Sequence, residues 1–342
     1  MKRPTITDLA EAAGVSVATV DRVLNGRLKV REETARKVSE AAERIGYHAA
    51  NVIRQRLLAD VPEYHLAIVL QKERHAFYQS FAAKLMQAAA DVRDRRIRVS
   101  IRYARSSEPA EVADLLLQAS GKVQAVAATG LDHHDVTNAV SVLRGRGIPT
   151  FSLLSDFAQG EREGYFGTNN MKVGRTAAWL ISKLAERQGK IALFVGGHRY
   201  HGHALREAGF RAYIRECAPR FEVLDAVVNL ETRQLTHEAL LGVMARHPDL
   251  VGVYCAGGGM EGAIAALREA GAGERIACLV HELTPESRQA LLERCISGVF
   301  QTPLKELCAD LMATVVHTIE QGMAENPGQR FVAPYLLTPE SI

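Results

Sequence analysis

The chain has 342 residues, 47% of them apolar and 24% charged, with a formal net charge of +3. These values describe a globular protein with room for two or three domains rather than a disordered or membrane-embedded one. Residues 1–60 hold 11 Lys and Arg against 8 Asp and Glu, and the remainder is balanced at 31 of each, so the whole positive excess sits at the amino-terminal end, where it suits a polyanionic partner. Five cysteines, at 217, 255, 278, 295 and 308, form no Cys-x-x-Cys pair, which points to buried thiols rather than a zinc site or a disulfide framework. No apolar run is long enough to span a membrane and MKRPTITDL has no hydrophobic leader core, so the expected compartment is the cytoplasm.

In chain order, Thr5 and Asp8 form a Thr-x-x-Asp start signal that can satisfy the first amides of a helix. Ile6, Leu9, Ala10 and Ala13 lie at i, i+3, i+4 and i+7, one narrow apolar stripe. Gly14 ends that helix, Ser16 offers a second cap, and Val20, Val23 and Leu24 make the next stripe. Two short helices across a tight turn are the geometry of a helix-turn-helix DNA reader. The face opposite the second stripe holds Ala18, Asp21, Arg22 and Asn25, with Val17 at its edge. Arg22 is suited to bond guanine O6 and N7 bidentately, and Val17 and Ala18 to pack on thymine methyls. Asp21 either accepts from cytosine N4 or forms an ion pair that restrains Arg22. The full expected DNA-contact set in this segment is Thr5, Ser16, Val17, Ala18, Thr19, Asp21, Arg22 and Asn25. Glu32 and Glu33 open a third helix ending near Ile45, with Ala35, Val38, Ala42 and Ile45 inward and Gly46-Tyr47 closing it.

The run Thr-Ile-x-Asp-x-Ala-x-x-Ala-Gly-Val-Ser-x-x-Thr-Val-x-Arg-Val-Leu-Asn-Gly, from Thr5 to Gly26, closely resembles the lac repressor (LacI/GalR) family of bacterial transcription regulators. The resemblance continues through Val30, Thr34 and Val38 to Gly46-Tyr47 and, more loosely, along the whole chain. Asp21 departs from it, since the family usually carries Ser there. The resemblance implies that the segment HAANVIRQRLLADVPEYH is a hinge helix that folds on the operator and wedges a Leu into the minor groove. Here Ala49-Ala50 replaces the usual Pro-Asn and Arg56 stands in the register of the wedge. Either Leu57, one residue late, wedges or Arg56 enters the minor groove as a charged reader. Pro62 ends the linker.

From His65 the chain alternates short apolar runs with longer amphipathic ones, the βαβ rhythm of parallel sheets covered by helices. Strands are expected at 66–70, 97–103, 123–129 and 149–154, then at 190–196, 222–228, 251–256 and 276–282. An amphipathic helix over 304–323 and a last strand over 330–339 complete two doubly wound lobes. The predicted architecture is an all-α helix-turn-helix domain (1–49), a hinge helix and linker (50–63), and a two-lobed α/β domain like that of periplasmic binding proteins. Its first lobe would take 64–168 and 298–329, its second 169–297 and 330–342.

Small ligands of such sheets bind at strand carboxyl ends. Phe77 and Tyr78 can stack on a sugar face or simply pack a helix. Asp132 and Asp156 follow strands and could accept from hydroxyls. By resemblance, Asn170 in Gly167-Thr168-Asn169-Asn170 matches the family's crossover motif, Arg206 before Gly209-Phe210 its effector arginine, His281 or Glu282 the position of an effector-clasping Asp, and Gln301 a crossover Gln. His203 lies with His198 and His201 in a loop at the mouth of the cleft; with no acidic or Cys partner nearby, no metal is expected.

Gly257-Gly258-Gly259-Met260-Glu261-Gly262 satisfies Gly-x-Gly-x-x-Gly after an apolar strand, and Glu282 lies 20 residues beyond Gly262, the arrangement of a dinucleotide fingerprint. A nicotinamide-dependent enzyme or redox sensor is therefore the second class weighed. The motif falls late in a sheet and no catalytic constellation accompanies it. The other reading has these glycines, Gly258 in particular, let a ligand approach the backbone. A receptor without DNA activity is the third class, opposed by the reader and the missing leader. The favoured expectation is an allosteric regulator, a repressor and not an enzyme. It would bind a pseudo-palindromic operator as a homodimer, answer to a sugar, polyol or related metabolite, and need no cofactor or membrane.

Overall fold

A computed structural model of the protein describes residues 3–25, 30–57, 61–106, 108–119, 121–197 and 199–342, with the side chains of 32 and 54–57 outside the description. The chain divides into two compact units, one of Met1–Tyr64 with Ala90–Arg98 and one of His65–Ala89 with Val99–Ile342.

The first unit is helical at its amino-terminal end. Helix α1 (Ile6–Ala13) starts at a reciprocal capping box: the Asp8 N–H donates to Thr5 Oγ1, and the Thr5 N–H donates to the Asp8 carboxylate at 2.7 Å. It ends on Gly14 at φ 65°, the left-handed conformation that suits glycine. Helix α2 (Val17–Asn25) follows the Ser16 cap, whose Oγ accepts from the Thr19 N–H. Helices α3 (Glu32–Arg44) and α4 (Ala50–Leu57) complete the bundle. Leu9, Val20, Val38, Ala42 and Ile53 are fully buried together. The expected hinge segment therefore begins as a helix whose Ile53 anchors in this core.

From Glu63 the strand and helix rhythm runs β1 (Glu63–Gln71), α5 (Ala76–Asp91), β2 (Arg96–Ala104), α6 (Pro109–Ala119), β3 (Ala125–Ala128), α7 (His134–Gly145), β4 (Thr150–Leu153) and β5 (Gly164–Thr168). It continues with α8 (Asn170–Leu184), β6 (Lys190–Val195), α9 (His201–Cys217), β7 (Glu222–Val223), β8 (Val227–Val228), α10 (Arg233–Arg246), β9 (Leu250–Cys255), α11 (Met260–Glu269), β10 (Ala277–His281), α12 (Pro285–Leu292) and β11 (Gly298–Gln301). Helix α13 (Leu304–Gln321), β12 (Gly328–Val332) and β13 (Tyr335–Leu337) end it. One sheet has the order β12-β5-β4-β3-β1-β2, and the other β13-β11-β10-β9-β6-β7 with β8 beside β6. The pairings of β1 with β3, β3 with β4, β4 with β5, β5 with β12, β6 with β7, β8 and β9, β9 with β10 and β10 with β11 are parallel, and that of β11 with β13 is antiparallel. Fully buried strands such as β3 and β9 are near-continuous apolar runs because helices cover both faces.

Three expectations need correction. The run 222–228 is two short strands, interrupted around the exposed Asp225, because both halves pair separately with β6 at the sheet edge. The run 330–339 is also two strands, divided at Ala333-Pro334: β12 pairs with β5 in the first sheet and β13 with β11 in the second. Since β11 pairs with β10, residues 298–301 belong to the second sheet and 328–332 to the first, which shifts the expected lobe boundaries at 298 and 330. Strand β5 was not anticipated, because GYFGT is short and flanked by glycine.

Candidate functional site

On α2 the buried and exposed faces separate as the periodicity demands. Val20 and Val23 are buried, while Ser16, Val17, Ala18, Arg22 and Asn25 are exposed and Thr19 and Asp21 half-buried. Asn25 Nδ2 donates to Asp21 Oδ1 at 2.6 Å, so the carboxylate restrains Asn25, one turn on. The Thr5 and Ser16 hydroxyls cap α1 and α2. The side chains of Arg56 and Leu57 lie outside the described residues.

In the second unit the carboxyl ends of β1, β3, β4, β5, β9, β10 and β11 converge on a cavity of about 110 Å³. Lys72, Leu154, Glu231 and Glu282 each have φ between 49° and 68°; all four line this cavity, and such non-glycine conformations cluster where surrounding structure holds a functional site. Arg206, on α9, donates from Nε to Asn170 Oδ1 at 2.7 Å and from Nη1 to the Ala256 carbonyl at 2.8 Å. Asn170 is itself fixed by the hydroxyls of Thr168 and Tyr165. The close approach of α8 and α9 that permits this rests on two glycines. A Cβ on Gly174 would collide with the Arg206 carbonyl, and one on Gly209 with that of Met171.

Polar bridges join the two lobes across the cavity. Lys72 Nζ lies 2.7 Å from Glu231 Oε2, His75 Nε2 lies 3.4 Å from Glu261 Oε1, and the Tyr200 hydroxyl donates to Gln71 Oε1 at 3.2 Å. Burial works against the Glu231 carboxylate, but His203, Lys72 and the Gly258 N–H bring its pKa down to about 2. Burial holds His203 at about 4 despite Glu231, and holds His281 well below the usual imidazole range, with Arg206 adding to both effects. Burial raises Glu282 although it accepts from both the hydroxyl and the N–H of Thr302. His281 Nε2 shares a hydrogen bond of 2.8 Å with the Tyr254 hydroxyl.

Of the residues singled out from sequence, Phe77, Tyr78, His203, Arg206, Gly258, His281 and Glu282 line this cavity. Asn170 stands behind Arg206. Asp132 is exposed, its N–H donating to the Arg199 carbonyl. Asp156 is buried in a pair with Arg162, at 2.6 and 2.8 Å, and also accepts from Ser152 and Gln329. Its lone pairs thus serve the structure around β12. Gln301 pairs with Tyr335 in the β11–β13 ladder, and its neighbour Thr302 lines the cavity. Lys72, His75, Glu231 and Glu261 were not singled out, although Lys72 immediately follows a strand and satisfies the same strand-end rule.

The glycine run does not act as a nucleotide cradle. A Cβ on Gly257 would meet the His203 ring, one on Gly258 the Glu231 side chain, and one on Gly262 the Arg233 carbonyl where α10 meets α11. The side chains of His203 and Glu231 fill the space above Gly257 and Gly258. Glu282 is turned toward Thr302. His203 belongs to the cavity wall and His201 lies 3.3 Å from Gln159 Nε2; His198 is outside the described residues. Separately, His133, His134 and Asp135 bring metal-ligating atoms within 4.8 Å of one another at the start of α7, where the carboxylate already serves both imidazoles.

Residues 5–50 match the model of bacterial regulatory proteins of the lacI family, and residues 66–322 that of the periplasmic binding protein domain. The chain is 26% identical over 258 residues to the HTH-type transcriptional regulator GntR of Pseudomonas aeruginosa, covering 74% of this chain and 71% of that one. It is 29% identical over 205 residues to the ribitol operon repressor of Klebsiella aerogenes, covering 58% and 72%. Among solved structures, GanP, a glucose-galactose binding protein from Geobacillus stearothermophilus, matches with TM-score 0.74 at 15% identity, over 82% of this chain and 99% of that chain. A solute binding protein from Burkholderia graminis in complex with D-arabinose gives TM-score 0.74 at 18% identity, over 82% and 97%. Both structural matches show the shared two-lobed fold.

Proposed function

The chain belongs to the lacI family of bacterial regulatory proteins and carries a periplasmic binding protein domain, and from that premise we propose that α2 reads operator bases while the cavity takes the effector. The protein is a DNA-binding transcriptional regulator controlled by a small sugar or polyol. The observation that carries the assignment of the reader is the sidedness of α2, with Val20 and Val23 sealed in the bundle and Ala18, Arg22 and Asn25 presented to solvent.

In this reading Arg22 bonds a guanine edge, Val17 and Ala18 line the groove floor, and Thr5, Ser16 and Thr19 meet phosphates at helix starts. Arg56 or Leu57 of the hinge enters the minor groove. Two copies of the chain bind the two halves of a pseudo-palindromic operator in the cytoplasm. The effector lies among Phe77, Tyr78, His203, Arg206, His281 and Glu282 and biases the lobes between two arrangements, which changes operator affinity by population shift. No helix among the described residues is long and apolar enough to cross a membrane.

The test is operator selection with purified protein, followed by binding of Arg22→Ala to the selected site and its single-base variants. Discrimination at one position should fall by roughly 1–3 kcal/mol. Full retained discrimination would reject Arg22 as a base reader.

A further inference from the structure

The effector cavity has a charge balance that restricts what can enter. Three carboxylates, Glu231, Glu261 and Glu282, face two permanent cations, Lys72 and Arg206. Lys72 Nζ contacts the Glu231 carboxylate at 2.7 Å and donates to the Glu231 carbonyl at 3.4 Å, while Arg206 spends Nε and Nη1 on the neutral oxygens of Asn170 and Ala256. Burial keeps His203 and His281 in their uncharged forms at neutral pH.

Resting on the effector reading above, we propose that this cavity selects uncharged polyhydroxylated molecules and rejects the carboxylate and phosphate forms of the same compounds. An anion that drew Lys72 from Glu231 would leave that carboxylate buried without its cation, and one that met Arg206 instead would still share the cavity with Glu231, Glu261 and Glu282. A hydroxyl meets no such obstacle. Gln71 Nε2 and His75 Nδ1 are buried in the wall with no hydrogen-bond partner among the described residues, a neutral donor and a ring nitrogen that a hydroxyl can satisfy. The carboxylates accept from hydroxyls, and the Phe77 and Tyr78 rings offer a face to a sugar's C–H groups.

The test is calorimetric titration of the full-length protein with matched sets: D-galactose, D-galacturonate and galactose 6-phosphate; ribitol, ribonate and ribitol 5-phosphate; D-arabinose, arabinonate and arabinose 5-phosphate. In the set that binds, the neutral member should bind at least about tenfold more tightly than its anions, a gap of about 1.4 kcal/mol or more. Glu231→Gln and, separately, Glu282→Gln should narrow the gap, with operator binding confirming that each variant is folded. An anionic member binding as tightly as its neutral partner, or more so, overturns the charge selectivity and leaves the effector reading standing. Binding by no member of any set overturns both.

Discussion

Arg206 shows how much of a cavity-lining residue's worth lies behind it. Removing it takes the Nη1 donor from the Ala256 carbonyl and leaves Asn170 Oδ1 with the Thr168 hydroxyl alone, besides removing any effector contact, so Arg206→Ala should lower stability by about 1–3 kcal/mol and abolish the melting shift given by an effector. A preserved shift would place the ligand elsewhere. His203 and Glu231 set an acid limb in the stability profile. As pH falls through 6.5 the unfolded chain takes up a proton that His203 in the folded chain refuses until about 4, and stability is lost across that window. Glu231, at about 2 against an ordinary 4.5, loses its stabilisation as pH falls further from 4.5 to 2. His203→Gln should make the first window shallower, His281 still contributing to it, and should also reduce the second, because His203 helps hold Glu231 down, in melting temperatures recorded against pH. Thiol chemistry gives a simpler check: Cys217 is exposed and the other four cysteines are buried, with burial pushing Cys255 and Cys308 up to about 12. One thiol per chain should label rapidly at neutral pH and five after unfolding. Arg206 was legible through its resemblance to a family motif. Its partnership with Asn170, 36 residues away, and that of Lys72 with Glu231, 159 residues away, were not, because nothing local in a sequence encodes a contact between side chains so far apart along the chain.

At the level of elements, local chemistry was the reliable guide. Thr5, Asp8, Gly14 and Ser16 announce the first two helices by capping alone, and Thr5→Ala should cost about 1 kcal/mol, measured by denaturant melts of the amino-terminal unit's signal. Patterns failed where an apolar run was not one object. Pro334 lets a single stretch serve two sheets, and Asp225 divides an edge strand that hydropathy reads as continuous. The α8–α9 contact depends on something hydropathy does not measure, the absence of a side chain. Gly174→Ala should push the helices apart, lower stability by about 1–3 kcal/mol by overpacking, and weaken effector binding beyond what stability alone explains, because the displaced atom is the carbonyl of Arg206 itself. Effector titration well below the variant's melting temperature separates the two effects.

Over the whole effector domain, the bridges from Lys72, His75 and Gln71 hold the lobes together. Lys72→Ala should raise hydrogen exchange at residues 229–231 and 256–259, and the titration of His203 should move upward once that neighbouring cation is gone. Unchanged exchange would mean that the bridge is incidental to closure. The chain also passes from one sheet to the other three times, after Thr168, after Gln301 and between Val332 and Tyr335, and the last passage supplies an edge strand to each sheet. Synthesis proceeds from the amino terminus, so the reader helices leave the ribosome long before either sheet can be finished. A nascent or prematurely stopped chain ending at Gln321 would possess its DNA-reading helices but two sheets each lacking an edge. Control of the reader is thus the last property the growing polypeptide acquires.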